Sequence, residues 1–319
     1  DNGMGVAAIM AVLESTDIPH PPLEALFTAD EEAGMTGAHN LEPNVLSGDI
    51  LMNLDTEDDD ELSVGCAGGI DNDIEWVYEE TNTPEMAQAF KLVVKGLAGG
   101  HSGMDIIHGR GNANKIMNRL LFDNFERFNA SLASLNGGGL RNAIPRESVA
   151  IVVAPNPQVD DMTAHWDKLI ADLKSEFATT DPNLHIEYTE VEKPDNMMVG
   201  KDFEKLCLAV QCCHDGIKRL SPDVDDLVET SNSLASVRVE DGRMEAKALT
   251  RSDRESGKMD MAHSVAAAFR LIGAKVVHSG SYPGWKLDPD ADMLGMMKNL
   301  YTELFNEQPK VIACHAGLE

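Results

Sequence analysis

The first 60 residues offer a series of carboxylates close to the ends of short apolar runs: Asp1, Asp30, Glu31, Glu32, Asp55, Glu57 and Asp58. Hard and borderline divalent cations take carboxylates, imidazoles and water as ligands. The adjacent pair Glu31-Glu32 is the most telling. Neighbouring side chains at a strand end point in different directions. One carboxylate can therefore hold a metal while the other faces an attacking water as general base. An aspartate can bridge two ions about 3.5–4 Å apart. Taken singly, each of these residues reads better as a solvated charge in an acidic loop.

Such groups need elements to position them. Val6–Glu14 reads as a helix. Leu23–Thr28 is a short apolar strand running into Ala29–Gly34, and Asp49–Asp55 is a second running into Thr56–Glu61. Strands alternating with helices predict an α/β domain with a mostly parallel sheet flanked by helices. Ligands bind beyond the carboxyl ends of such strands, where the acidic clusters fall. After Gly65–Gly69 the texture changes. Ile74–Glu79, Lys91–Lys95, Val149–Ala154, His185–Val191, Leu234–Val239, Arg243–Leu249 and Lys275–Ser279 read as strands. Asn112–Phe128, Asp161–Phe177, Phe203–Cys213 and Met259–Ile272 read as helices. That order predicts an inserted two-layer α+β domain over residues 70–279. Residues 1–69 and 280–319 then make the discontinuous first domain.

At roughly 100–200 residues per domain, 319 residues suit two domains. The chain is 43% hydrophobic, enough for a real core, and its net charge is −28. That charge repels phosphate backbones and anionic lipid, which argues against a nucleic-acid or membrane-surface partner. No apolar run approaches the roughly 18 residues of a membrane span. The five cysteines, Cys66, Cys207, Cys212, Cys213 and Cys314, lack zinc-finger spacing and fit reduced thiols in a cytoplasm. No Gly-x-Gly-x-x-Gly follows a strand, which disfavours a dinucleotide site. No cysteine stands in an obvious nucleophile context beside a positioned histidine.

Eight short motifs occur in a fixed order: Asp1-Asn2-Gly3, Thr28–Gly34, Asn53–Asp58, Val64–Gly69, Gly99–Gly103, Val228–Asn232, Tyr282–Trp285 and Cys314–Glu319. Together they resemble the zinc-dependent aminoacylase/carboxypeptidase family of metallopeptidases, and within it the bacterial branch acting on Xaa-His dipeptides. The resemblance covers the whole chain. It implies two divalent ions, most simply zinc, with cobalt or manganese compatible with the ligand set. It implies that Asp1 bridges the two ions, that Glu32 binds one and Asp55 the other, and that Glu31 is the general base. It implies that His101 reaches across a homodimer formed by the inserted lid domain and stabilises an oxyanion in the partner's site. Asn142 resembles a lid residue near substrate, and Arg251 a position that binds the substrate carboxylate. His315 and Glu319 lie at a strand end, where they would line the substrate pocket. The reaction implied is hydrolysis of unblocked dipeptides.

The same resemblance marks departures. The family's His-x-Asp pair would precede Asp1, and its last histidine ligand would follow Glu319. The expectation is a chain lacking the family's N-terminal and C-terminal segments. Two other functions therefore stay open: an N-acyl amino-acid deacylase of the same fold, and a catalytically incomplete dimerisation or binding module.

Overall fold

A computed structural model describes residues 2–30, 35–55, 58–222, 224–286, 288 and 290–318. Its contacts divide the chain into two compact units. One comprises residues 1–63, 290–312 and 318–319, and the other residues 64–289 and 313–317.

The second unit is built on a nine-stranded sheet. The strand order is Lys275–Tyr282, Gly68–Val77, Arg243–Ser252, Val228–Glu240, Ser131–Gly138, Ser148–Pro155, Ala87–Lys95 and His185–Val191. The ninth strand, Gly216–Leu220, pairs beside Val228–Glu240. Every one of these pairings is antiparallel. An antiparallel sheet can bury one face and leave the other wet, and its strands then alternate. The first six residues of Arg243–Ser252 alternate in this way, with Met244, Ala246 and Ala248 turned into the core.

Four helices, Ala113–Leu121, Val159–Glu176, Gly200–Cys212 and Glu255–Arg270, contribute to the same core. Ala113–Leu121 buries Ile116, Met117, Leu120 and Leu121 at helical spacing. Its N-terminus is capped by Asn112, whose Oδ1 accepts the Asn114 amide at 2.9 Å. Trp166, fully buried, donates its indole N–H to the Leu120 carbonyl at 3.0 Å. The single helix expected over Asn112–Phe128 is in fact two. Asp123 adopts a left-handed conformation (φ 63°) between Ala113–Leu121 and Asn124–Phe128. Asn124 Nδ2 donates to the Leu120 carbonyl at 3.0 Å, supplying a partner that an unbroken helix would have provided from its own backbone.

In the first unit, Gly3–Glu14 is a helix capped by Asn2, which accepts the Gly5 amide at 2.8 Å. A second helix spans Asp292–Phe305. The Glu24 carboxylate accepts the Ser47 and Gly48 amides at 2.7 and 2.9 Å, and these bonds hold its pKa below the usual carboxylate range. The strands expected at Leu23–Thr28 and Asp49–Asp55 form no ladder among the described residues. An apolar run becomes a strand only when another segment supplies its hydrogen bonds. Glu61–Cys66 and Lys310–Cys314 pair as a two-stranded ribbon.

Candidate active site

Of the expected metal ligands, Asp1 and Glu32 lie outside the described residues, as does the expected base Glu31. Their neighbours are described. Asp30 and Met35 are both left-handed (φ 66° and 55°), and the Met35 amide donates to the Asp30 carbonyl at 2.8 Å. Asp55 is exposed, and its amide donates to the Asn53 side-chain oxygen at 2.7 Å. Its carboxylate has the oxygen chemistry a divalent ion accepts. Among the described residues no three His, Cys, Asp or Glu side chains converge on one point.

The second unit brings His101, Arg251 and His315 together. Gly100–His101 pairs with Ala143–Ile144, and the Ser102 amide donates to the Asn142 carbonyl at 2.7 Å, which puts exposed Asn142 beside the same turn. His101 Nδ1 accepts two backbone amides, from Gly103 at 3.2 Å and Met104 at 3.0 Å. A nitrogen that accepts carries no proton, so the neutral ring holds its hydrogen on Nε2. Burial, and then the Arg251 charge, lower the His101 pKa against the opposing pull of Asp105. The ring is thus a neutral N–H donor. Its Nε2 lies 3.4 Å from Arg251 Nη2, also a donor. Two donors cannot satisfy one another, and an oxygen acceptor would satisfy both.

The turn that carries His101 is held at several points. The His101 amide donates to Asp105 Oδ2 at 2.7 Å, and Asp105 pairs with Arg110 at 3.1 Å. Asp181, 1% exposed, accepts the Ala98 amide on one oxygen at 2.9 Å and the Gly111 amide on the other at 2.8 Å. One buried carboxylate therefore ties both ends of the 98–111 segment. Nothing in the local sequence around Asp181 announces that role.

Arg251 is 4% exposed. Its Nη1 donates to the Tyr282 hydroxyl at 2.9 Å, and its buried Nε has no partner among the described residues. Among the described residues no carboxylate pairs with it. The nearby Asp71 is already engaged by Arg141, at 3.0 Å to each carboxylate oxygen. Burial lowers the Arg251 pKa, and Arg141 adds to that effect. A buried cation without a counter-ion is costly, and a ligand anion would relieve that cost. His315, 5% exposed, places Nε2 2.7 Å from the Ser231 hydroxyl. Burial, then Arg251, push its pKa down to about 3, so it stays neutral and adds no charge.

Gly103 is the meeting point. A Cβ there would stand 2.1 Å from the His315 carbonyl oxygen and 3.1 Å from both Arg251 Nε and His101 Cε1. The first neighbour is backbone and cannot step aside cheaply. Gly103→Ala should therefore destabilise the protein by about 1–3 kcal/mol, the usual range for overpacking. Urea unfolding followed by circular dichroism checks this, and an unchanged midpoint would contradict the packing described.

Comparison with known proteins decides the family. Residues 93–181 match the peptidase dimerisation domain. Over 319 residues the chain is 37% identical to the cytosol non-specific dipeptidase of Escherichia coli (strain K12), covering 100% of this chain and 66% of that protein. The crystal structure of aminoacylhistidine dipeptidase from Vibrio alginolyticus superposes with a TM-score of 0.93 at 37% identity, over 100% of this chain and 65% of that one. The chain belongs to the aminoacylase/carboxypeptidase family of metallopeptidases. It spans about two thirds of the length of these two relatives. His101 and Gly103 lie in the matched dimerisation segment, whereas Arg251 and His315 lie beyond it. The Tyr282 motif supported the resemblance at the sequence level without suggesting a role for the hydroxyl. Its partner, Arg251, stands 31 residues earlier.

Proposed function

We propose that the protein takes part in metal-dependent hydrolysis of unblocked dipeptides, Xaa-His among them. The observation that carries this reading is the buried Arg251 guanidinium, without a carboxylate partner, beside the neutral N–H donor of His101. Arginine binds carboxylates strongly, often at two points. A dipeptide has its scissile carbonyl only one residue from its terminal carboxylate. Donors separated by 3.4 Å suit so short a substrate: Arg251 takes the carboxylate and His101 the oxygen on which charge develops. In this reading Arg251 and His101 of one chain together serve the partner subunit's site in a homodimer formed through residues 93–181.

Asp1, Glu32 and Asp55 would hold two divalent ions, zinc by preference, and Glu31 would take a proton from the attacking water. When bound, the ions lower the pKa of water and polarise the carbonyl. Asn142, at the His101 turn, would contact substrate. His315, neutral and bonded to Ser231, would line the site. All five cysteines are free, and a cytoplasmic location fits them.

The test is hydrolysis of an Xaa-His dipeptide and its N-acetyl derivative by the zinc-loaded protein, with ions per chain counted by elemental mass spectrometry. Cleavage of the free dipeptide and rejection of the acetylated one is the expected result. Preference for the acetylated compound would favour a deacylase instead. Failure to bind zinc would favour a binding module.

A further inference from the structure

We infer that Tyr282 is a positioning residue for the carboxylate site, fixing the Arg251 guanidinium through a row of residues that crosses three strands. The inference rests on reading Arg251 as the carboxylate binder.

Gly69 pairs with Arg251 on one side and with Tyr282 on the other. Arg251, Gly69 and Tyr282 thus stand in register on adjacent strands. Adjacent strands lie roughly 4.8 Å apart, so the outer two are about 10 Å apart. Arginine and tyrosine are long enough to meet across that gap only if the middle position carries no side chain. A Cβ on Gly69 would fall 2.5 Å from the Tyr282 hydroxyl oxygen and 2.6 Å from Cζ. The glycine leaves open the path along which Arg251 Nη1 reaches that hydroxyl at 2.9 Å.

The tyrosine is held from other directions. A Cβ on Gly317 would lie 2.8 Å from its ring. Its carbonyl accepts from Lys258 Nζ at 2.7 Å, a lysine 1% exposed that also bonds the Ser281 hydroxyl at 3.1 Å and Glu255 at 2.8 Å. A buried ammonium ties the end of strand Lys275–Tyr282 to helix Glu255–Arg270. Three motifs distant in sequence, around Gly69, Tyr282 and Gly317, converge on one ring.

The hydroxyl occupies one guanidinium nitrogen and leaves Nη2 and Nε uncommitted to it. That orientation, rather than the bulk of the ring, is what the site uses. A phenylalanine would keep the packing and remove the anchor. Loss of one hydrogen bond to a charged group costs about tenfold in affinity.

The test compares Tyr282→Phe, Gly69→Ala and Arg251→Met in the metal-loaded protein. Each is assayed on a dipeptide and on the same dipeptide with a C-terminal amide. Calorimetry then measures Kd for the released amino acid and for its amide. Tyr282→Phe should raise KM for the acid about tenfold, leave kcat within twofold, and leave the amide unaffected. The Kd of the free amino acid should rise by the same factor, and Gly69→Ala should shift it in the same direction. If Tyr282→Phe changes acid and amide equally, or neither, while Arg251→Met still discriminates them, the inference is overturned and the carboxylate reading stands. If Arg251→Met affects both substrates alike, the carboxylate reading falls and the inference falls with it.

Discussion

Glu31→Gln is expected to lower kcat by about a hundred- to ten-thousand-fold while two divalent ions remain bound, the range general-base catalysis contributes. The substitution keeps the shape of the side chain and removes its basicity. If Glu31 only accepts a proton from the attacking water, metal stoichiometry should not move, and KM should change far less than kcat. Its neighbour supplies the contrast. Glu32, proposed as a ligand, should lose ions from the protein when changed to glutamine, because a neutral amide is a poorer ligand for a divalent ion than a carboxylate. Elemental mass spectrometry on both variants, beside initial rates on one dipeptide, separates the roles. An active Glu31→Gln, or one that sheds a metal, would mean that the two glutamates have been assigned the wrong way round or that the base lies elsewhere.

How far the sequence carries depends on whether a feature is local. The strands Lys91–Lys95, Val149–Ala154 and His185–Val191 were legible because a short run rich in apolar and β-branched residues is written in consecutive positions, and each is part of an observed strand. The runs at Leu23–Thr28 and Asp49–Asp55 were equally apolar, yet they form no ladder among the described residues, because strand pairing depends on a second segment. The site shows the same division. His101, Arg251 and His315 were singled out by motif, and the fold brings them around Gly103. The supports were not legible. Asp181 reaches two amides 13 residues apart, and Tyr282 meets Arg251 across an intervening strand. Such roles are products of register, and no local pattern records them. Gly69 was part of a quoted motif, but only the pairing of its strand with both neighbours explains why a side chain would not fit there.

Arg251→Met should reduce kcat/KM for a dipeptide by about a hundred- to a thousandfold, the consequence of losing one partner from a desolvated charge pair at roughly 3–4 kcal/mol. The C-terminal amide of the same dipeptide should lose much less, since it brings no negative charge. A second expectation has the opposite sign. In the ligand-free protein the guanidinium is buried, and among the described residues its Nε has no partner and no carboxylate neutralises it. Removing a charge in that position takes away a desolvation cost without orphaning a counter-ion. The melting temperature of ligand-free Arg251→Met should therefore stay level or rise. An arginine kept for structure would behave otherwise, because its loss would lower stability and affect acid and amide substrates alike. Calorimetric melting of the ligand-free variant, set beside the acid-to-amide ratio of kcat/KM, distinguishes a charge retained for a ligand from one retained for the fold.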